Sequence, residues 1–202
     1  EIAAKQQNNS NALLNLGIIY SKRLGVKKDY QKAMNYYELA AEQNNSYAIL
    51  NIGTLYENGN GVEQDYAKAK EYYEQAAKLN NPYAFLYLGL IFVNGYGVNK
   101  DYTKAMDYFE LSAKQNNSFA LYNLGEIYSN KEYYLNVSKA VKCFLKCYKI
   151  HFQMIKNETP NQDVSLITRY NYYCYRSAND LGLIYLICFQ DIEKATEYIK
   201  KS

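Results

Sequence analysis

The chain has 202 residues, 49% of them hydrophobic and 21% charged, with a formal net charge of +3. That balance belongs to a folded globular chain rather than a disordered one, and so small a charge, with Lys and Arg scattered among acidic neighbours, argues against a dedicated binder of nucleic acid or of anionic membranes. One histidine in the whole chain means that any Ser-His-Asp or Cys-His catalysis would have to rest on His151.

The first residues, EIAAKQQNN, repeat the endings found at 40–45, 76–81 and 113–117, so residues 1–9 are the tail of a preceding repeat and the sequence reads as a piece of a longer array. They lack the basic region followed by an apolar run that a secretory signal needs. Ala12, Ala48, Ala84 and Ala120 then open units spaced 36 residues apart. A fixed period of this length is the signature of stacked supersecondary units. The predicted units span about 10–45, 46–81, 82–117 and 118–147.

Each unit is predicted to be two helices. In the first helix of the second unit, Ala48, Ile52, Leu55 and Tyr56 recur at i, i+4, i+7 and i+8 and form one apolar stripe. Gly53 sits within that helix, as do its equivalents Gly17, Gly89, Gly125 and Gly182. An interior glycine costs about 1 kcal/mol relative to alanine, so a close approach of two helices is expected there. The apolar run YAFLYLGLIFV at 83–93 is 11 residues, against the roughly 20 needed to cross a bilayer, and reads as core.

The second helix of each unit starts at Asp29, Asp65 or Asp101, whose carboxylates suit the free amides of a first turn. It buries Ala33, Tyr37, Ala40 and their equivalents, and ends at Asn-Asn, where asparagine tolerates a left-handed cap. Between the helices, NGNGVEQDY at 58–66 returns as NGYGVNKDY at 94–102. A G-x-G of this kind cradles phosphate when it follows a strand and opens a helix. Here it closes one helix and leads to another, which makes it a turn.

Three motifs, A-x-x-x-[LI]-G-x-[LI]-[YF], G-x-G-V-x-x-D-Y and K-A-x-x-Y-[YF]-E-x-[AS]-A, recur in register from 10 to 117. This pattern resembles the Sel1-like repeat family, relatives of the tetratricopeptide repeat with a longer inter-helix loop. The resemblance implies an all-α, right-handed α-α solenoid with a 36-residue period, no enzymatic activity of its own and no cofactor. It further implies adaptor roles, in membrane-associated or ubiquitin-linked degradation complexes or in bacterial signalling and host interaction. The fourth unit, ALYNLGEIYSNKEYYLNVSKAVKCFLKC, loses both loop glycines and one loop residue.

Its second helix is expected to run on through SKAVKCFLKCYKIHFQMIKN, after which Thr159, Pro160 and Gln162 supply an N-cap, an N1 proline and a capping-box partner for a returning helix. The extended hairpin so formed, residues 148–176, either bends the array or offers a contact surface. A degenerate last repeat occupies 177–202. The whole of 1–202 is read as a single repeat array.

Candidate chemistry is sparse. Cys143, Cys147 and His151 lie at i, i+4 and i+8 on one helix face, with Cys174 or Cys188 as a fourth zinc ligand. Against this, Cys147 aligns with the small packing residues Ala40, Ala76 and Ser112, and Cys143 with Tyr36, Tyr72 and Tyr108, so buried free thiols are the reading adopted. No metal ligands are assigned. The cysteines do not recur with the repeat, so a reducing cytoplasmic compartment is the default. N-x-[ST] sequons at Asn8, Asn44, Asn116, Asn136 and Asn157 raise the ER lumen or secretion as the alternative, yet three of the five are the Asn-Asn-Ser junctions that turn chemistry already explains.

What remains is surface. By the tetratricopeptide pattern, the first helices line a concave groove, here through Tyr47, Leu50, Tyr83, Leu86, Leu90, Phe119 and Tyr122. The Lys or Arg with Asn that would clamp a terminal carboxylate is not at these places. An apolar, aromatic groove suits an amphipathic helix or an extended peptide with large side chains. The expected function is therefore a non-catalytic scaffold or adaptor whose partner is another protein or peptide, with no nucleic acid, membrane insertion or small-molecule substrate. The alternatives are the regulatory array of a larger enzyme and a metal-binding module at Cys143, Cys147 and His151.

Overall fold

The computed structural model describes residues 9–130 and 135–156, and beyond them residues 176, 180, 182, 197 and 200. The expected tail at 1–8, the capping residues Thr159, Pro160 and Gln162, the returning helix, Cys174, Cys188 and most of the last repeat lie outside the described residues. Eight helices are defined: α1 (Ser10–Lys22), α2 (Tyr30–Ala41), α3 (Ser46–Asn58), α4 (Tyr66–Lys78), α5 (Pro82–Asn94), α6 (Tyr102–Lys114), α7 (Ser118–Ser129) and α8 (Val137–Lys156). Among the described residues there is no strand, so the chain is an all-α protein of repeating helical pairs. It divides into two compact units, Glu1–Ala105 and Met106–Ser202, with the boundary inside α6.

Within the first unit each pair closes on its own glycine. A Cβ built on Gly53 would meet the Tyr73 ring at 2.6 Å, and one on Gly17 would collide with the Tyr37 ring. The tyrosine of the second helix thus fills the space that the glycine of the first leaves open, as the interior glycines predicted. Successive pairs share a core: Leu13, Tyr37 and Ala40 of the first lie in one buried cluster with Ala48, Ile52 and Leu55 of the next. In the second unit α7 and α8 repeat the arrangement, with the Phe144 ring 2.6 Å from where a Gly125 Cβ would stand.

Polar side chains set the helix starts. Asp29, Asp65 and Asp101 accept from the amides of Lys32, Lys68 and Lys104 at 3.0, 2.9 and 3.0 Å. Both residues of the Asn-Asn junction have work. Asn44, Asn80 and Asn116 turn through the left-handed region at φ 56°, 62° and 60°, and the asparagine that follows caps the next helix. Asn81, buried, accepts from Tyr83 and Ala84 amides at 2.9 and 3.2 Å while its own amide donates to Ser46 Oγ at 3.2 Å, one repeat back. Asn45 donates in the same way to Ser10 Oγ and Asn11 Oδ1. The junction is therefore a cap and an inter-repeat clip at once.

The loops are equally regular. The Asp29, Asp65 and Asp101 amides donate to the carbonyls of Tyr20, Tyr56 and Phe92 at 3.1, 3.0 and 3.0 Å. The fourth unit, lacking both loop glycines, keeps the bond through Asn136, whose amide donates to Tyr128 O at 2.7 Å and whose side chain caps Lys139 at 3.0 Å. In all four units a lysine of the second helix lies over the aromatic that ends the first: Lys32 on Tyr20, Lys68 on Tyr56, Lys104 on Phe92 and Lys139 on Tyr128, at 5.0–5.4 Å from the ring centre. Gly61, at φ 74°, rests against Tyr30, whose Cβ lies 2.5 Å from where a Gly61 Cβ would stand. A side chain at Gly61 is thus barred twice, by conformation and by space.

α8 is 20 residues long where the other helices have 12 or 13. Its extra seven or so residues, at about 1.5 Å each, carry it about 10 Å further than the regular second helices.

Candidate functional site: the face of the first helices

Four positions of each first helix share one stripe at i, i+4, i+7 and i+11. In α3 these are Tyr47, Asn51, Thr54 and Asn58, and in α5 Tyr83, Tyr87, Leu90 and Asn94. The stripe carries no charged residue in either helix. Asn58 and Asn94 turn their amides back onto their own helix, donating to Thr54 O at 2.8 Å and Leu90 O at 2.9 Å. At the other end Tyr47 and Tyr83 are 46% and 38% exposed, with ring centroids 6.3 Å apart and planes tilted by 56°. Between them and the asparagines, Tyr87 stacks on Tyr73 at 5.0 Å.

The residues singled out from the sequence separate into two groups. Tyr47 and Tyr83 stand on the surface, and Leu90 and Phe119 are half-buried. Leu50 and Leu86, at 6% and 4% exposure, and Tyr122, at 7%, are packed inside. The reason is helix phase. At about 100° per residue, Leu50 lies about 60° around α3 from Tyr47, on the side of Gly53, and that side packs against α4. The position one residue later, two before the glycine, is the one on the stripe: Asn15, Asn51, Tyr87 and Asn123. Its signal was the recurrence of asparagine there in three of four units.

In the second unit Tyr122 lies under a residue distant in sequence. Arg176 Nε donates to the Tyr122 hydroxyl at 3.1 Å, and the guanidinium sits 5.9 Å from the ring centre. Arg176 also approaches Glu126 Oε2 at 4.0 Å. Asp180 joins them, with Oδ2 enclosed and without a hydrogen-bond partner among the described residues. The Glu126 side chain is 45% exposed, and partial desolvation followed by the charge of Asp180 pushes its carboxyl up, opposed by Arg176. Burial likewise raises Asp180, again against Arg176 and a Tyr122 hydrogen bond. The Tyr122 phenol is raised too, first by burial and then by the two carboxylates.

Two surface hollows of about 470 and 480 Å³ lie at equivalent places after the loop glycines, one lined by Tyr56, Val62, Asp65 and Lys68 and the other by Phe92, Val98, Asp101 and Lys104. Their helix N-termini are already occupied, since Asp65 and Asp101 accept from the first-turn amides. An anion would meet a carboxylate there, which agrees with reading G-x-G as a turn. The proposed thiol ligands offer little to a metal. Cys147 is fully buried in the packing position that its alignment indicated, and Cys143 is pushed up to about 11 by burial and by Glu110. The His151 side chain lies outside the described residues. Among the described residues no group of three His, Cys, Asp or Glu side chains is placed to hold a metal ion, and no helix is long and apolar enough to cross a membrane.

The comparisons with known proteins agree with this construction. No curated protein sequence matches the chain significantly. Among solved structures the chain is similar to a Sel1 repeat protein from Oxalobacter formigenes (TM-score 0.67, 23% identity, 96% of this chain and 85% of that one). It is also similar to c5321, a protective antigen of uropathogenic Escherichia coli with an SLR fold (0.64, 24%, 98% and 46%). A third is a Sel1 repeat protein from Klebsiella pneumoniae (0.56, 18%, 97% and 94%). These likenesses establish the fold. The Sel1 repeat family matches residues 10–45, 46–81, 82–117, 118–146 and 173–202. With five repeats covering most of its length, the chain belongs to the Sel1 repeat family, whose members generally serve as protein-interaction scaffolds.

Proposed function

We propose that this chain is a non-catalytic interaction module that holds a peptide segment of another protein on the face of its first helices, with Tyr47 and Tyr83 as anchors. The observation that carries this reading is the pair itself. Two tyrosines at equivalent places in adjacent repeats are exposed and in ring contact, while tyrosines such as Tyr37 and Tyr73 are consumed by the core. Large aromatic surface at low conformational cost is what interface anchors supply. Leu90 extends the contact surface, Leu50 and Leu86 form its floor, and Phe119 is the equivalent of the tyrosine pair in the fourth repeat.

The uncharged stripe in α3 and α5 favours hydrogen bonding and apolar contact over ion pairing. Binding is therefore expected to change little between low and moderate salt. The test is affinity capture with the intact protein, identification of the captured partner, and titration of that purified partner against wild type and Tyr47→Ala/Tyr83→Ala. Loss of two anchors at about 2 kcal/mol each weakens binding at least tenfold, and by up to about a thousandfold, with the helical circular dichroism spectrum unchanged. Equal affinity for wild type and the double variant would remove this face from the binding site.

A further inference from the structure

The chain has three Asn-Gly pairs, Asn58-Gly59, Asn60-Gly61 and Asn94-Gly95, all in the two regular loops. Such a pair can close a ring on itself, because a glycine nitrogen carries no neighbouring side chain to obstruct its approach to the asparagine Cγ. In two of the three the helix holds both reacting groups. Gly59 and Gly95 are the left-handed caps of α3 and α5, and their amides donate to Tyr56 O at 3.4 Å and Ile91 O at 2.8 Å. Asn58 and Asn94 Nδ2 donate to Thr54 O and Leu90 O at 2.8 and 2.9 Å. Asn60-Gly61 escapes both restraints. The Asn60 backbone amide donates to Leu55 O at 3.0 Å, but neither its side chain nor the Gly61 amide has a hydrogen-bond partner among the described residues. Gly61 is exposed and Asn60 half-buried. The equivalents in the neighbouring units are Leu24-Gly25 and Tyr96-Gly97, so of these three loops the second alone carries a reactive side chain at this place.

We propose that Asn60-Gly61 is a site of spontaneous covalent modification, where Asn60 deamidates through a succinimide in preference to Asn58 and Asn94, and that the product loosens the contact between the first and second units. The Gly61 nitrogen forms a bond to Asn60 Cγ, the bond from Cγ to Nδ2 breaks, and ammonia leaves with the proton that the Gly61 amide gives up. Solvent water then opens the five-membered ring at either carbonyl. One opening leaves aspartate. The other leaves isoaspartate, in which the main chain runs through the former side chain and is longer by one carbon. Neither step needs an oxidant or a reductant.

The consequence lies in what Gly61 touches. Its carbonyl accepts from Gln31 Nε2 at 2.6 Å, and a Cβ built on it would stand 2.5 Å from Tyr30 Cβ. Tyr30 and Gln31 open α2 of the first unit, so Gly61 joins two repeats at the loop edge with no room to shift toward α2. An added main-chain carbon before Gly61, with a new carboxylate beside it, moves that carbonyl away from Gln31.

The experiment is incubation of the folded chain in mildly alkaline buffer, with each site followed by peptide mass mapping and fragment sequencing. Reaction at Asn58 or Asn94 must first break two hydrogen bonds, each a slowing of about fivefold, so Asn60 should convert about tenfold faster or more. In concentrated urea, where the three pairs differ little, their rates should converge. Amide hydrogen exchange then reads the consequence: peptides spanning 28–34 should exchange faster in aged protein than in fresh, and peptides from α6 should not change. Asn60→Gln, which would need a larger and slower ring, should keep its original exchange after the same incubation. Conversion of Asn58 or Asn94 as fast as Asn60 in the folded chain, a preference for Asn60 that persists in urea, or unaltered exchange at 28–34 once Asn60 has converted overturns the proposal.

Discussion

Gly53→Ala places two effects of opposite sign at one position. Replacing a helix-interior glycine by alanine stabilises an exposed helix by about 1 kcal/mol. Here the new Cβ would stand 2.6 and 2.8 Å from Cε1 and Cδ1 of Tyr73 and 3.2 Å from the Ala69 carbonyl oxygen. Tyr73 cannot swing aside: it is fully buried, its hydroxyl donates to the Glu57 carboxylate, and its ring stacks on Tyr87 at 5.0 Å. The backbone oxygen on the other flank closes the remaining escape, so α3 and α4 must part. Overpacking of this kind costs about 1–3 kcal/mol, and with both neighbours fixed the upper half of that range applies.

The net expectation is a loss of about 1–2 kcal/mol, seen as a fall in the unfolding midpoint of about 2–4 °C per kcal/mol for a chain of this size. Urea and thermal unfolding followed by circular dichroism would measure it. The decisive control is Tyr73→Ala, costly alone, in whose background Gly53→Ala should become neutral or stabilising because the ring has gone. The two substitutions would then couple by about 2 kcal/mol, within the range found for residues in contact. If Gly53→Ala stabilises the otherwise unaltered protein, close helix approach is not why the glycine is there.

The remaining expectations follow from the caps, the phase of the first helices and the thiol. Asn81→Ala removes the acceptor of two first-turn amides and the Ser46 link from a buried place and should cost about 2 kcal/mol, against about 1 for the more exposed cap Asp65→Ala; equal losses in urea unfolding would show that the inter-repeat clip adds nothing. Leu50→Ala should cost about 2–5 kcal/mol as a core truncation and Tyr47→Ala about 1 kcal/mol as a lost ring contact, and a reversed order would put the exposed stripe on the wrong side of α3. Cys143, pushed up to about 11, is almost wholly protonated at pH 8, so its alkylation rate should keep climbing about tenfold per pH unit past pH 9; a plateau near the ordinary thiol range would contradict its burial beside Glu110.

Features that repeat were legible in the sequence. A 36-residue spacing needs no structure to be seen, and Asp65 or Gly53 each act within a few residues or on a partner helix of the same unit, so period and residue type together name their roles. Helix phase was only half legible. Counting back from the glycine by three places Leu50 on the groove, and counting by two places Asn51 there; about 60–100° of rotation separates floor from surface, less than an alignment to a related repeat resolves. The second asparagine of each junction was hidden because the first already explained the turn. Arg176 on Tyr122 had no signal at all, since the two are 54 residues apart and the fourth unit is where the repeat loses its register.

Helix phase also separates what the repeat needs from what a partner could use. The glycine, its facing tyrosine, the residue at Leu50 and the Asn-Asn junction are held by contacts that each regular unit must make to stack. The stripe is free of those contacts, and the units differ along it: Asn51 and Thr54 in one, Tyr87 and Leu90 in the next, Asn123 and Glu126 in the fourth. A scaffold evolving toward a partner can alter these positions without disturbing the stack, because each is one rotation step away from the core. Glu126, with its side chain 45% exposed, shows the same freedom. At the place where α1, α3 and α5 carry Ile18, Thr54 and Leu90, a charged residue costs the stack little, and it has become the contact for Arg176 rather than for a partner. Equivalent positions in one array can therefore carry apolar, polar or charged side chains without disturbing the stack.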